Sequence, residues 1–232
     1  MTISIIIPCH NEEKNIGSLL DSLLSLNKKQ NFNAEIIVVN DNSKDKTAKV
    51  TEEFQKKNSK VKVLHRNKGN NGMGFALREG TRASTGKYVI WIMGDKSDDL
   101  NTIPLMINKL ENGYDMVFGS RYMQGASRGD LSLFKAILSH GFTFISRLVF
   151  GIKVHDITNA FRGFKREVFD SIDIKAGDFA ISPELAIKAH NKGYILGEVP
   201  TIYTDRTKGK SKFALMKMGV RYSKLLLLKF EK

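Results

Sequence analysis

A single cysteine, Cys9, is all the sulfhydryl chemistry the 232 residues contain. That excludes an intramolecular disulfide and points to a reducing compartment. Cys9 ends an apolar, strand-like run and has no activating pattern around it, so it reads as a buried structural thiol rather than a nucleophile. Long apolar runs are also lacking. No stretch of about 18 uncharged apolar residues occurs, so no membrane span is expected. The opening MTISIIIPCH has no positive n-region, and its apolar run is too short for a signal peptide. Repeats, low-complexity tracts and linkers are absent, which leaves one domain. Acidic residues are scarce: 24 Asp and Glu stand against 37 Lys and Arg, for a net charge of +13. Such an excess favours polyanionic partners, namely nucleic acid, anionic lipid headgroups or phosphorylated substrates. Nucleic acid is the poorest of these, because the basic residues do not interleave with aromatics and no nucleic-acid motif appears.

What is present is a strand–helix alternation. Short β-branched runs at Ile3–Ile7, Glu35–Val39, Val61–Leu64, Tyr88–Met93 and Asp115–Phe118 predict strands. Between them, helical spacing predicts helices over Asn11–Leu26 with Asn11 as N-cap, over Asp45–Lys57, from the GNNGMG turn to about Ala83, and over Asn101–Glu111. Strands apolar throughout are buried on both faces. Alternation with short connections therefore gives an α/β fold with a mostly parallel central sheet flanked by helices. The second half is less regular: an apolar helix, a strand near Ala160–Lys165, a helix near Ser182–Lys192, a strand at Ile195–Val199 and a basic loop. We divide the chain into one α/β domain over 1–212 and a basic amphipathic helix over 213–232. Two segments, Leu131–Phe150 with Lys135, His140 and Arg147, and Phe213–Phe230 with Lys217, Arg221 and Lys224, suit a membrane surface better than a crossing.

In parallel α/β sheets ligands bind at the carboxyl ends of the strands. Those ends here read PCHNEE, NDNSKDKT, GDKSDD and GSRY. Carboxylates thus collect along one sheet edge in a basic protein, and carboxylate oxygens are the preferred ligands of Mg²⁺ and Mn²⁺. Asp and Asn also serve as turn formers and caps, which suffices for Asp45 and Asn101. Asp41 and Asp95, each directly after a strand, are better read as functional. GNNGMG lacks the Gly-Lys-Ser/Thr ending of a phosphate loop, so a tight turn with close backbone packing is expected there.

Eight segments in order, IIIPCHNEEKNI, EIIVVNDNSKDKT, NGMGFALREG, TGKYVIWIMGD, FGSRY, HDITNAFRGFKREVF, AISPELAIKAHNKGYILGEVP and TDRTKGKSKF, resemble the family 2 glycosyltransferases of GT-A fold. Within that family they are similar to the dolichol-phosphate mannose synthases and bacterial polyprenyl-phosphate sugar transferases. The resemblance implies transfer of a hexose, with inversion, from a nucleotide-sugar donor to a polyprenyl or dolichyl phosphate. A glycan acceptor, or an inactive nucleotide-sugar-binding subunit, are the alternatives. It implies donor contacts at Pro8, His10, Glu12, Val39, Asp41, Gly94, Asp95, Arg121, Arg206 and Lys212. It also implies a Mg²⁺ or Mn²⁺ site at Asp95 and Asp98, catalytic carboxylates at Asp95, Asp156 and Glu184, and acceptor contacts at Asn159 and Arg162. The chain departs from the family where His10 replaces a Tyr, Asn40 an Asp, and Met93 the first Asp of an Asp-Ala-Asp metal motif. The expected location is peripheral, on the cytoplasmic face of a membrane, with a membrane-anchored subunit as a further partner.

Overall fold

The computed structural model describes residues 2–67, 69–204 and 215–229. The first strand, β1 (Ile3–Cys9), is buried along its whole length. It is followed by α1 (Ile16–Gln30), β2 (Glu35–Asp41), α2 (Thr47–Lys57), β3 (Val61–Arg66), α3 (Met73–Ala83), β4 (Tyr88–Trp91) and α4 (Thr102–Glu111). Then come β5 (Met116–Ser120), α5 (Leu133–Phe150), β6 (Arg162–Lys165), α6 (Arg166–Asp170), α7 (Ile181–Asn191), β7 (Leu196–Pro200) and α8 (Leu215–Leu225). One seven-stranded sheet takes the order β3-β2-β1-β4-β6-β5-β7. Its strands pair parallel except β6, which runs antiparallel to both β4 and β5. The mostly parallel α/β architecture is therefore as the sequence predicts, with one reversed strand in the middle.

Period-two alternation sends neighbouring β1 residues to opposite faces. Ile6 packs with Trp91, Phe118 and Phe164 beneath α3, α7 and α8. Ile5 and Ile7 pack with Leu20, Leu23, Ile103 and Met106 beneath α1 and α4. Trp91 is fully buried, donates from Nε1 to Thr81 Oγ1 at 2.9 Å and meets the Phe164 ring edge-on at 5.0 Å. Burying a side chain of that size contributes about 3 kcal/mol, and the satisfied indole N–H spares it the desolvation cost of an orphan donor.

Several boundaries shift. The first helix begins at Ile16, not Asn11, because Asn11 sits in the left-handed region (φ 56°) and the chain turns through Glu12, whose carbonyl accepts from the Asn15 and Ile16 amides. The fourth strand stops at Trp91, and residues 92–101 form the turn that carries the acidic segment. The final helix packs onto the domain: Met218, Tyr222 and, just beyond it, Leu228 join the core on the Ile6 side.

Helix α5 buries Ala136, Phe142, Thr143 and Ser146. Its other side exposes Leu133, Phe134, Ile137, Leu138, Phe144, Ile145 and Leu148. By length and composition it is apolar enough to cross a membrane, with a mean hydropathy of 1.3 and 22% of it buried.

Candidate active site

The carboxyl ends of β1, β2 and β4 open onto a cleft of about 320 Å³. Its walls include Pro8, His10, Glu12, Asp41, Gly94 and Asp95. The first strand end is held open by short polar bonds. His10 Nδ1 donates to the Asp41 carbonyl at 2.6 Å, which fixes the ring and its tautomer. The Glu12 amide donates to Thr47 Oγ1 at 2.8 Å, and its carboxylate accepts from Asn15 Nδ2 at 2.8 Å. Gly94 has no substitute here, since a Cβ would lie 2.6 Å from Cys9 Sγ and 2.9 Å from the Pro8 carbonyl oxygen.

Asp41 is buried and both its oxygens are engaged. Oδ1 pairs with Arg66, and Oδ2 accepts from the Gly72 amide at 2.7 Å. Arg66 is a site residue that the sequence reading missed. Its signal is register, because β2 and β3 pair so that Asp41 and Arg66 stand side by side at the strand ends.

Asp95 is buried, and its Oδ1 accepts from the Ser97 amide at 3.2 Å and from Ser97 Oγ at 2.7 Å. Asp98 Oδ2 accepts from the Met93 amide at 2.8 Å. Loss of water contact pushes the Asp98 carboxyl up to about 7; the Met93 bond and Arg121 oppose this, and Asp95 adds to it. After β7 the chain returns to this segment: Tyr203 bridges Asp98, and the Thr204 amide donates to the Ser97 carbonyl at 3.1 Å. Arg206 and Lys212 lie outside the described residues.

A second cleft of about 150 Å³ adjoins the first. The two share Met93, Asp95 and Phe179. The second is further lined by Asp98, Arg121, Lys135, Asn159 and Tyr222. Here Arg121 follows β5 and forks onto Asp156, from Nε to Oδ2 at 2.7 Å and from Nη2 to Oδ1 at 3.0 Å. Burial alone lowers an arginine's proton affinity, but this carboxylate more than offsets it and drives the Arg121 guanidinium upward. Asp156 is fully buried and accepts further bonds from Thr158 Oγ1 and the Asn159 amide. It holds Arg121 in place rather than facing open space. Asn159 donates to the Gly119 carbonyl at 2.7 Å, which ties the β5 end to this turn.

Three expected site residues lie elsewhere. Val39 is fully buried in the core, because β2 turns its side chain to the α3 face under Gly80. Glu184 lines neither cleft. Its carboxylate accepts from the Lys175 and Ala176 amides at 2.9 and 2.7 Å and from Lys188 at 2.7 Å, so it clasps the loop before α7. That loop carries Asp178 and Phe179 to the clefts. Arg162 is fully buried over the Phe118 ring and donates to the Ser182, Ile157 and Asn159 carbonyls. Burial pushes its guanidinium down to about 9. The α8 helix, unlike these, reaches the site. Met218 lines the first cleft, Tyr222 the second, and Arg221 Nε pairs with Asp178 at 2.7 Å.

A model of the family described as Glycosyl transferase family 2 matches residues 4–173. The dolichol-phosphate mannosyltransferase of Pyrococcus furiosus is 30% identical over 215 residues, which is 91% of this chain and 59% of that protein. The chain thus spans under two thirds of that relative. The polyprenol monophosphomannose synthase of Mycolicibacterium smegmatis is 28% identical over 217 residues, covering 90% of this chain and 80% of that one. Among solved structures, glucosyl-3-phosphoglycerate synthase from Mycobacterium tuberculosis in complex with Mn²⁺ and UDP-glucose superposes with a TM-score of 0.77. That match has 21% identity and covers 98% of this chain and 78% of the other. The fold is accordingly of the GT-A type.

Proposed function

Because the chain belongs to glycosyl transferase family 2, we propose that it moves a hexose, with inversion, from a nucleotide sugar to a polyprenyl phosphate at a membrane surface. The observation that carries this reading is the pair of clefts meeting at Asp95. A volume of about 320 Å³ is at the small end of ligand pockets and suits a nucleoside diphosphate. Pro8 and the His10 ring flank the base, Asp41 and Glu12 accept from the nucleoside, and the diphosphate runs to Asp95. Arg206 and Lys212 belong to this reading as diphosphate contacts. The acceptor enters the second cleft, where Lys135 supplies positive charge and Asn159 lines the wall; Arg121, expected at the donor, lines this cleft instead and is paired with Asp156.

The chemistry favours a phosphate acceptor. A phosphate oxygen is already anionic, so it attacks the anomeric carbon without losing a proton. The bond from that carbon to the donor diphosphate breaks, and its electron pair leaves on the diphosphate oxygen. A hydroxyl acceptor needs a carboxylate base, and two of the three expected catalytic carboxylates are engaged within the protein. Asp156 is locked on Arg121, and Glu184 is locked on backbone amides. Asp95 and Asp98 provide hard oxygens for Mg²⁺ or Mn²⁺, and among the described residues no group of three metal-binding side chains stands together. That donor set fits a cation that takes one or two carboxylates and fills its shell with diphosphate oxygens. When bound, the cation neutralises charge on the leaving diphosphate.

The exposed apolar side of α5, a helix that also contributes Lys135 and Leu138 to the second cleft, supports contact with a membrane surface, which this reading puts on the cytoplasmic side. A membrane-anchored subunit is the other candidate for that face. In this reading residues 1–212 form the catalytic domain, and 213–232 the basic amphipathic C-terminal helix. The test is incubation with labelled GDP-mannose and UDP-glucose, a short polyprenyl phosphate and Mn²⁺. Label in the organic phase supports a lipid-phosphate acceptor. Label confined to the aqueous phase refutes it.

A further inference from the structure

We propose that Arg66 is a positioning residue for the donor, acting through Asp41; this rests on the reading of the first cleft as the nucleotide site. Arg66 ends β3 and lines neither cleft, yet its buried guanidinium pairs with Asp41 Oδ1. Its Nε donates to Glu79 Oε1 at 2.7 Å, and its Cζ lies over the Phe75 ring, 5.3 Å from the centroid. Both of those residues are on α3. The second oxygen of Asp41 accepts from the Gly72 amide, the residue before that helix. Gly72 and Asn71 are themselves cleft wall.

One buried carboxylate therefore joins the ends of β2 and β3 to the entry of α3. It is fixed from behind by a cation held on three sides. Each carboxylate oxygen accepts more than one hydrogen bond, so Asp41 keeps acceptor capacity toward the cleft while its orientation is set by Arg66 and Gly72. Removing Arg66 leaves a buried carboxylate uncompensated. That frees Asp41 to turn and uncouples the Asn71–Gly72 wall from the β2 end. Glu79 is half-exposed, so its bond to Arg66 is the weaker part of the latch.

The expected result is selective for the donor. R66Q weakens UDP and GDP binding, measured by titration calorimetry, by tenfold or more, and R66K recovers part of that loss. KM for a polyprenyl phosphate and kcat at saturating donor change by less than threefold. E79Q shows a smaller loss than R66Q. In the double variant R66Q/D41N, neutralising the stranded carboxylate raises the melting temperature above that of R66Q, while nucleotide affinity is not restored. The proposal is overturned if folded R66Q or R66K binds both nucleotides within twofold of wild type. It is also overturned if R66Q raises the acceptor KM as much as the donor KM. Wild-type protein that binds neither nucleotide overturns the nucleotide-site reading itself, and the inference with it.

Discussion

Asp156→Asn removes one charge from a fully buried ion pair and leaves its shape. The Asp156 side chain is 0% exposed and that of Arg121 9%, and the two meet through a bidentate fork. Breaking a buried pair by neutralising one partner costs about 3–5 kcal/mol, because the other charge stays behind without compensation. Asparagine keeps one accepting oxygen, so the lower end, about 3 kcal/mol, is expected. For a chain of this size, each kcal/mol moves Tm by about 2–4 °C, which gives a fall of about 6–12 °C. Thermal and urea unfolding at pH 7 measure it, with an unchanged m-value showing that the native state stays compact. Transfer falls as well, since Arg121 loses the carboxylate that aims it. The R121M/D156L pair, which empties the site of both charges, loses less than the sum of the two single changes, with a coupling of about 2 kcal/mol. A D156N protein within about 1 kcal/mol of wild type refutes the argument.

Glu35 gives a pH dependence. Burial raises its carboxyl, but bonds from Lys62, Ser4 and Thr85 more than offset that and hold it at about 2, against an ordinary 4.5. A lowered carboxylate stabilises the fold above its unfolded value, and that contribution is lost as pH falls from about 4.5 to about 2. The gap corresponds to about 3 kcal/mol, and screening of the half-exposed Lys62 reduces it to about 2 kcal/mol. E35Q unfolds that much more easily at pH 7 and has a flatter acid limb in a pH series of urea melts; equal acid limbs contradict this. Gly72→Ala places a Cβ 2.1 Å from the Gly177 carbonyl oxygen. It costs about 1–3 kcal/mol in urea unfolding and weakens nucleotide binding; unchanged affinity argues against the wall assignment. Arg162→Met strands three buried carbonyls and costs about 3 kcal/mol, yet leaves donor and acceptor KM unchanged, because Arg162 faces neither cleft. Replacing Phe134 and Leu148 by Ser weakens flotation with anionic vesicles by at least about tenfold, while binding equal to wild type removes α5 from the membrane contact.

Much of this molecule is legible in order and little of it in depth. Apolar strand runs and their helical spacers set the α/β class; the strand-end rule pointed to Asp41 and Asp95, the resemblance added His10 and Arg121, and all four line a cleft. Direction is harder. Nothing in RGFK says that β6 runs against its neighbours, because alternation reports burial and not polarity. The two misplaced charged residues share one cause: a charged residue in a motif-rich segment can face inward and bind backbone. Glu184 and Arg162 do that with loop amides and carbonyls respectively. Their partners lie only 3 to 20 residues away, but the turns that bring those backbone groups round to them leave no periodicity to read. Arg66 was missed for the converse reason, as its partner Asp41 is 25 residues away and only strand register brings them together. The GNNGMG turn was legible, for Gly72 and Gly74 have no room for a side chain against the backbone of 176–178.

The central claim is that the clefts meeting at Asp95 pass a sugar from a nucleotide diphosphate to a lipid phosphate. The most direct measurement is mass spectrometry of the organic extract after reaction of wild-type and Asp95→Asn protein with GDP-mannose or UDP-glucose, a short polyprenyl phosphate and Mn²⁺, with anomeric configuration read by NMR. The account predicts a hexosyl monophosphate lipid of inverted, β configuration from wild type and a loss of at least about a hundredfold from the variant. A retained α configuration, equal product from both proteins, or a nucleotide sugar that binds while no lipid product forms with either donor would contradict it.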